Sequence, residues 1–254
     1  MTTIYLSIDS SRMRTAFIAA AAAALSAPLA SAHVDWRLTG CIGKVSNQGH
    51  LGTSDVRPSV EAVQCALAVS SGEHVELSTQ QVQDCASDLG SFGEAFAYIK
   101  QKGLESAAAY PSSTDDVDRK QCIYEEDLVV AEVGDIGGSA AGDASEKDVE
   151  NALQKAPVAA AFTVGTKFEL YTDGILSDCG EGGSHAMEIV GYTDADPDHN
   201  NTAYWIVKNS WGDSWGLKGY VHIAKDVGAC GLDKPTYLYP LNVTLVKHTK
   251  KYLK

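Results

Sequence analysis

Ser54, His185 and Asn209 supply a hydroxyl, an imidazole and a carboxamide, side-chain types from which a nucleophilic site is assembled. The histidine and the asparagine follow the serine by 131 and 155 residues. A serine hydroxyl is a weak acid, so it attacks a carbonyl only when a neutral imidazole takes its proton during the step. Each residue also has an ordinary structural use. Ser54 suits a helix N-cap, its oxygen accepting from a backbone N–H two or three residues on. His185 precedes an apolar strand, where histidines are usually satisfied interior groups. Asn209 suits a turn, and Gln48 a loop amide. The residues flanking them decide between the two readings.

The serine stands in Gln48-Gly49-His50-Leu51-Gly52-Thr53-Ser54-Asp55. Downstream lie Ser184-His185-Ala186 and then Tyr204-Trp205-Ile206-Val207-Lys208-Asn209-Ser210-Trp211-Gly212, with a second Trp-Gly at Trp215-Gly216. Between them comes Leu77-Ser78-Thr79-Gln80-Gln81-Val82-Gln83-Asp84-Cys85, and Gly174-Ile175-Leu176 precedes the histidine segment. Together these resemble the papain family of cysteine peptidases. That family's nucleophile signature is Gln-Gly-x-Cys-Gly-Ser-Cys-Trp, and its second motif is Leu-Ser-Glu-Gln-Gln-Leu-Val-Asp-Cys. The resemblance runs from Val34-Asp35-Trp36-Arg37 to Tyr239-Pro240. The spacing is similar too, since such enzymes carry their His and Asn roughly 130–150 residues after the nucleophile. The resemblance implies an α+β fold, papain-like, with a helical half, a β-barrel-like half and a cleft between them. It assigns Ser54 to the nucleophile position, His185 to the general base, Asn209 to the residue orienting it and Gln48 to the oxyanion donor. Trp211 would shield the His185–Asn209 hydrogen bond from water.

Both cysteines of the signature are missing here, and so is the tryptophan. In the family the thiol is held as thiolate by the helix dipole and an imidazolium, at a pKa of roughly 3–4. Serine cannot reach that state. Its route creates an imidazolium in the transition state, which gains from a carboxylate behind it, whereas Asn209 offers only a dipole. In a serine-protease triad, exchanging that Asp for Asn lowers turnover about 10⁴-fold. Asp55, where the family has tryptophan, is structurally welcome at a helix start. It also sets a negative charge beside a developing oxyanion. The Gly-rich groove segment of the family is contracted to Ser87-Asp88-Leu89-Gly90. Val34 to Arg37 follow the predicted signal almost directly, leaving no room for an inhibitory propeptide.

The chain has 254 residues, 44% of them hydrophobic and 21% charged, which is a globular composition. A net charge of −13 argues against nucleic-acid or anionic-membrane partners, because phosphate binding needs a positive footprint. Arg12 and Arg14, the apolar run Ala16 to Leu29 and the small residues Ala30-Ser31-Ala32 read as a cleaved secretory signal. The apolar run is shorter than the roughly 20 residues of a bilayer span. We therefore expect residues 1–32 to be an extension plus signal, residues 33–240 the domain (33–125 mainly helical, 126–240 mainly β) and residues 241–254 a basic tail. Export to a secreted or lysosome-like endomembrane compartment implies oxidised cysteines. No Cys-x-x-Cys pair or zinc spacing occurs, so no metal or cofactor is expected. By resemblance, Cys179 and Cys230 match a family disulfide. Cys85 and Cys122 occupy positions whose family partners are lost; pairing with each other is one option, and sequence alone does not fix the connectivity. Cys41 and Cys65 have no counterpart, and stand as a pair or as free thiols.

The positioning elements are legible from periodicity. Val56, Val60, Val63 and Leu67 predict a helix over Ser54 to Val69, closed by Gly72. Ser78 opens a short helix to Cys85, and Ser91 with Glu94 opens a third that Gly103 ends. Short β-rich runs follow at Val129–Val133, Val158–Val164, Met187–Tyr192, Tyr204–Val207 and Tyr220–Ile223, with one helix at Ser145–Lys155. Helices first and strands later is the α+β pattern. The leading expectation is a papain-family homologue without peptidase chemistry, binding a peptide or protein in the interdomain cleft. The alternatives are a Ser-His-Asn hydrolase or silicatein-like condensing enzyme, and a weak peptidase.

Overall fold

Val56, Val60, Val63 and Leu67 line the buried side of helix α1 (Val56–Ser71). The computed structural model describes residues 33–48, 55–86, 89–112 and 121–247. Ser54, the signal at 1–32, the groove residues Ser87 and Asp88 and the tail from 248 lie outside the described residues. Helix α1 has Asp55 as its N-cap residue, and its end is closed by the Gly72 N–H donating to the Ala68 carbonyl at 2.9 Å. Helix α2 (Thr79–Cys85) begins where the Ser78 hydroxyl accepts from the Gln81 N–H at 3.0 Å. Helix α3 (Phe92–Lys102) opens with the full Ser91–Glu94 capping box and stops at Gly103.

The second layer is a mixed sheet. Its strands are β1 (His33–Asp35), β2 (Leu104–Glu105), β3 (Val129–Ser139), β4 (Val158–Gly165), β5 (Ile175–Leu176), β6 (Gly182–Thr193), β7 (Tyr204–Lys208), β8 (Tyr220–Ala224) and β9 (Tyr237–Leu245). They order as β2-β3-β9-β4-β6-β7-β8-β5, with β1 also on β6, and among the described strands only the short β5–β8 pair is parallel. Helix α4 (Glu146–Leu153) lies between β3 and β4, and the single turn α5 (Thr166–Glu169) between β4 and β5.

Both faces of the sheet are buried. Helix α1 packs on β4, β6 and β9, and its apolar residues share a core with Phe96, Ile99, Ala159 and Ala186. On the opposite face Phe162, Met187, Ile189, Trp205, Val207, Val221 and Ile223 form a second core with Phe168. Alternation along β6 sends Ala186 and Glu188 toward α1 and His185, Met187 and Ile189 the other way.

Two boundaries differ from the sequence reading. Strand β9 carries the sheet to Leu245, so residues 241–245 belong to the fold and not to the tail; Leu241, Val243 and Leu245 pair with Asp135, Val133 and Ala131 of β3. Strand β1 crosses from the helical half to pair with β6, His33 opposite Thr193. All six cysteines are bonded, as Cys41–Cys65, Cys85–Cys122 and Cys179–Cys230. No described helix is long and apolar enough to cross a membrane.

Candidate functional site

His185 lies on β6 and Asn209 just past the end of β7, and both are buried. The His185 Nε2 and the Asn209 Oδ1 are 2.9 Å apart. The same Oδ1 accepts the Ser210 backbone N–H at 2.8 Å, which fixes the orientation of the carboxamide. Oδ1 is therefore an acceptor toward the ring, and Nε2 carries the proton. The lone pair falls on Nδ1, the nitrogen that would take a proton from a nucleophile. Among the described residues Asn209 Nδ2 is buried without a partner, at a cost of about 1–3 kcal/mol. Burial lowers the His185 pKa below its ordinary value, and the hydrogen bond to Asn209 opposes that only in part.

Trp211 covers the pair. Its ring lies 5.0 Å from the imidazole, tilted by 33°, and is itself braced edge-on by Phe168 at 5.4 Å and Trp215 at 5.2 Å. The sequence motif contained Trp211 and Trp215, but nothing in it pointed to Phe168 as the third member. Replacing Trp211 with alanine should wet the His185–Asn209 bond and move the histidine titration up toward 6.5. NMR titration of the ring checks this, and an unchanged midpoint would show that the indole does not shield it.

Gln48 comes to the same place by backbone pairing. Its N–H donates to the Ser210 carbonyl at 2.8 Å, Asn47 bridges to Trp211, and the Gly212 N–H donates to the Ser46 carbonyl at 2.9 Å. The Ser210 hydroxyl donates to Gln48 Oε1, so the carbonyl end of that amide is held and its donor end is defined. Gly219 permits this close approach. Its φ is +87°, and a Cβ there would meet Val45 Cγ1 at 2.4 Å. Its carbonyl accepts the Asn209 N–H at 2.9 Å.

The structure thus brings His185, Asn209, Gln48 and Trp211 together, while Ser54 lies outside the described residues, one position before Asp55. Burial and the negative charge of Glu94 push the Asp55 carboxyl up from its ordinary pKa. Cys179–Cys230 lies in the sheet half, and Cys85–Cys122 ties the end of α2 to the segment before β3. Among the described residues no cluster of three or more His, Cys, Asp or Glu is placed to hold a metal. Two cavities of about 530 and 470 Å³ lie away from the His185–Asn209 pair, one lined by Ser46, Arg57 and Gln64 and the other by Lys100, Tyr124 and Asn242.

Sequence reasoning missed one group beside this site. Lys208 immediately precedes Asn209, and its ammonium is 2.8 Å from Glu61 of α1 and 3.9 Å from Glu188 of β6. A charged residue inside the apolar run Met187–Tyr192 was the available signal.

Comparison with known proteins gives the same picture of the fold. A family model described as papain family cysteine protease matches residues 30–240. The chain is 32% identical over 212 residues to a cathepsin L-like proteinase of Phaedon cochleariae, covering 79% of this chain and 63% of that protein. It is 36% identical over 214 residues to cysteine proteinase 3 of Dictyostelium discoideum, covering 79% and 61%. It therefore spans less than two thirds of the length of either relative. The structure of bromelain protease from Ananas comosus in complex with the E64 inhibitor superposes with a TM-score of 0.71 at 29% identity, covering 82% of this chain and 97% of that one.

Proposed function

The chain belongs to the papain family of cysteine proteases, and from that premise we propose that it is a member without peptidase activity that binds a peptide or protein in its cleft. One observation carries the reading: a serine stands at position 54, 131 and 155 residues before His185 and Asn209, where the resemblance of the flanking motif puts the nucleophile. With no thiolate preformed, the hydroxyl depends on a base backed by a neutral amide. Asp55 further opposes an oxyanion at that place. Ser54 is the nucleophile position in this reading, His185 the base, Asn209 its orienting partner, Gln48 the oxyanion donor and Trp211 the shield.

The bromelain structure contains the E64 inhibitor, and we assign the ligand of this chain to the corresponding cleft. The three disulfides suit an oxidising compartment. With the basic and then apolar N-terminal run, they support a secreted or lysosome-like location and a mature domain beginning near His33.

A second reading has its own support. Burial holds His185 toward its neutral form, and a neutral imidazole is what a serine nucleophile needs. A serine-directed fluorophosphonate separates the two. The binding reading expects no labelling of the native protein. Labelling at Ser54 that His185→Ala abolishes would overturn it in favour of a Ser-His-Asn hydrolase or condensing enzyme.

A further inference from the structure

Strands β6 and β7 are paired from Thr193–Tyr204 to Glu188–Lys208, and there the register ends. Glu188 and Lys208 are therefore the last rung before the strands part. His185 and Asn209 stand just beyond the fork, bridged by a single side-chain hydrogen bond. What holds the last rung sets how far the two prongs can splay.

That rung is charged and almost completely buried. The Lys208 side chain is 1% exposed, and its ammonium is 2.8 Å from Glu61 Oε2. Glu188 is 1% exposed, and among the described residues neither of its carboxylate oxygens has a hydrogen-bond donor. Lys208 and Glu61 form the ionised pair, and it ties helix α1 to strand β7. Glu188 is its third member. Burial, reinforced by the Glu61 charge, raises its pKa to about 8 against the opposing pull of Lys208, which is too distant at 3.9 Å to reverse it. Lys208 stays charged because its two acidic neighbours outweigh the desolvation. Among the described residues, Tyr220 of β8 also faces the rung, with the Arg37 guanidinium 5.3 Å from its ring centroid.

We propose that Glu188 and Lys208 are positioning residues: with Glu61 they form a strut between α1 and the β6–β7 fork that holds Asn209 in hydrogen-bond contact with His185. With Glu188 neutral, Lys208 is committed to α1. When Glu188 loses its proton, it draws the same ammonium across the rung, away from Glu61, and the splay of the fork changes. The strut requires no turnover by Ser54, so it stands or falls independently of the binding and hydrolase readings.

The test is an NMR pH titration of the histidine rings in the native full chain, with His185 identified by its absence in His185→Gln. Two effects are expected in the native protein. The ring protonates below pH 6.5, and its resonance takes a second step near pH 8 that involves no change in its own charge. Glu188→Gln, close in shape to the neutral acid, should erase the second step and leave the first. Lys208→Met should speed exchange of the His185 Nε2 proton at least tenfold, as the Asn209 bond loosens. If Lys208→Met fails to fold, Glu188→Gln alone decides. A second step that persists in Glu188→Gln, or is absent from the native protein, overturns the proposal. So does unchanged Nε2 exchange in a folded Lys208→Met.

Discussion

Replacing Ser54 with cysteine should raise cleavage of a fluorogenic dipeptide by a factor on the order of 10⁴ or more, the native protein being expected to leave it intact. In the native chain the hydroxyl must be deprotonated during attack, and the imidazolium so formed faces the Asn209 carboxamide instead of a carboxylate. An Asp-to-Asn exchange behind a serine–histidine pair costs about 10⁴-fold, or roughly 5 kcal/mol, although part of that loss comes from the wrong tautomer. A thiol at position 54 should avoid the step, because in the family a helix dipole and an imidazolium stabilise the anion before substrate arrives. His185, Asn209, Gln48 and Trp211 already form one cluster, so only the nucleophile is changed. Turnover by both proteins would refute the silencing role of the serine. If both stay inert, Asp55 and the contracted groove account for the loss as well.

The second expectation concerns stability. Native protein should lose stability as the pH rises from about 5 to 8, and Glu188→Gln should remove most of that loss. The unfolded carboxyl titrates near its ordinary 4.5, whereas the folded one is held at about 8 by burial. A raised folded pKa means that the group's contribution is fully present below pH 4.5 and disappears as pH climbs through 8. Each unit of difference corresponds to about 1.4 kcal/mol, so the swing is on the order of a few kcal/mol. Urea midpoints at pH 4 and pH 8.5 measure it. The variant should match the native protein at the acid end and exceed it at the alkaline end. Equal slopes for the two proteins would mean that Glu188 keeps its charge by pairing with Lys208.

Much of this architecture was legible, and the parts that were not have physical reasons. Helices α1 to α3 announced themselves because four-and-three spacing, Ser78, the Ser91–Glu94 pair and the two closing glycines are local signals. Strand β9 was not read as a strand, because Pro240 signals an end. It is tolerated there because β4 pairs with β9 only at Tyr237 and Leu238, so beyond them only β3 flanks the strand. Strand β1, three residues long, carries no pattern and exists by virtue of its partner. The functional cluster was legible through motifs and not through periodicity. Glu188 was hidden because only the tertiary structure reveals that a lysine from the next strand and a glutamate from α1 converge on it.

The pairing of Gln48 with Ser210 spans 162 residues. Loop closure over such a distance comes late in folding, since its entropic cost must be met before the contact returns anything. Any partly folded species that has not closed this contact has helices and hairpins, and can hold the His185–Asn209 pair on one of them, but lacks Gln48 beside it. The indole of Trp211, whose backbone bridges to Asn47 across that same closure, is therefore an internal clock. Its fluorescence should change in the slowest refolding phase, after helix-sensitive signals are complete.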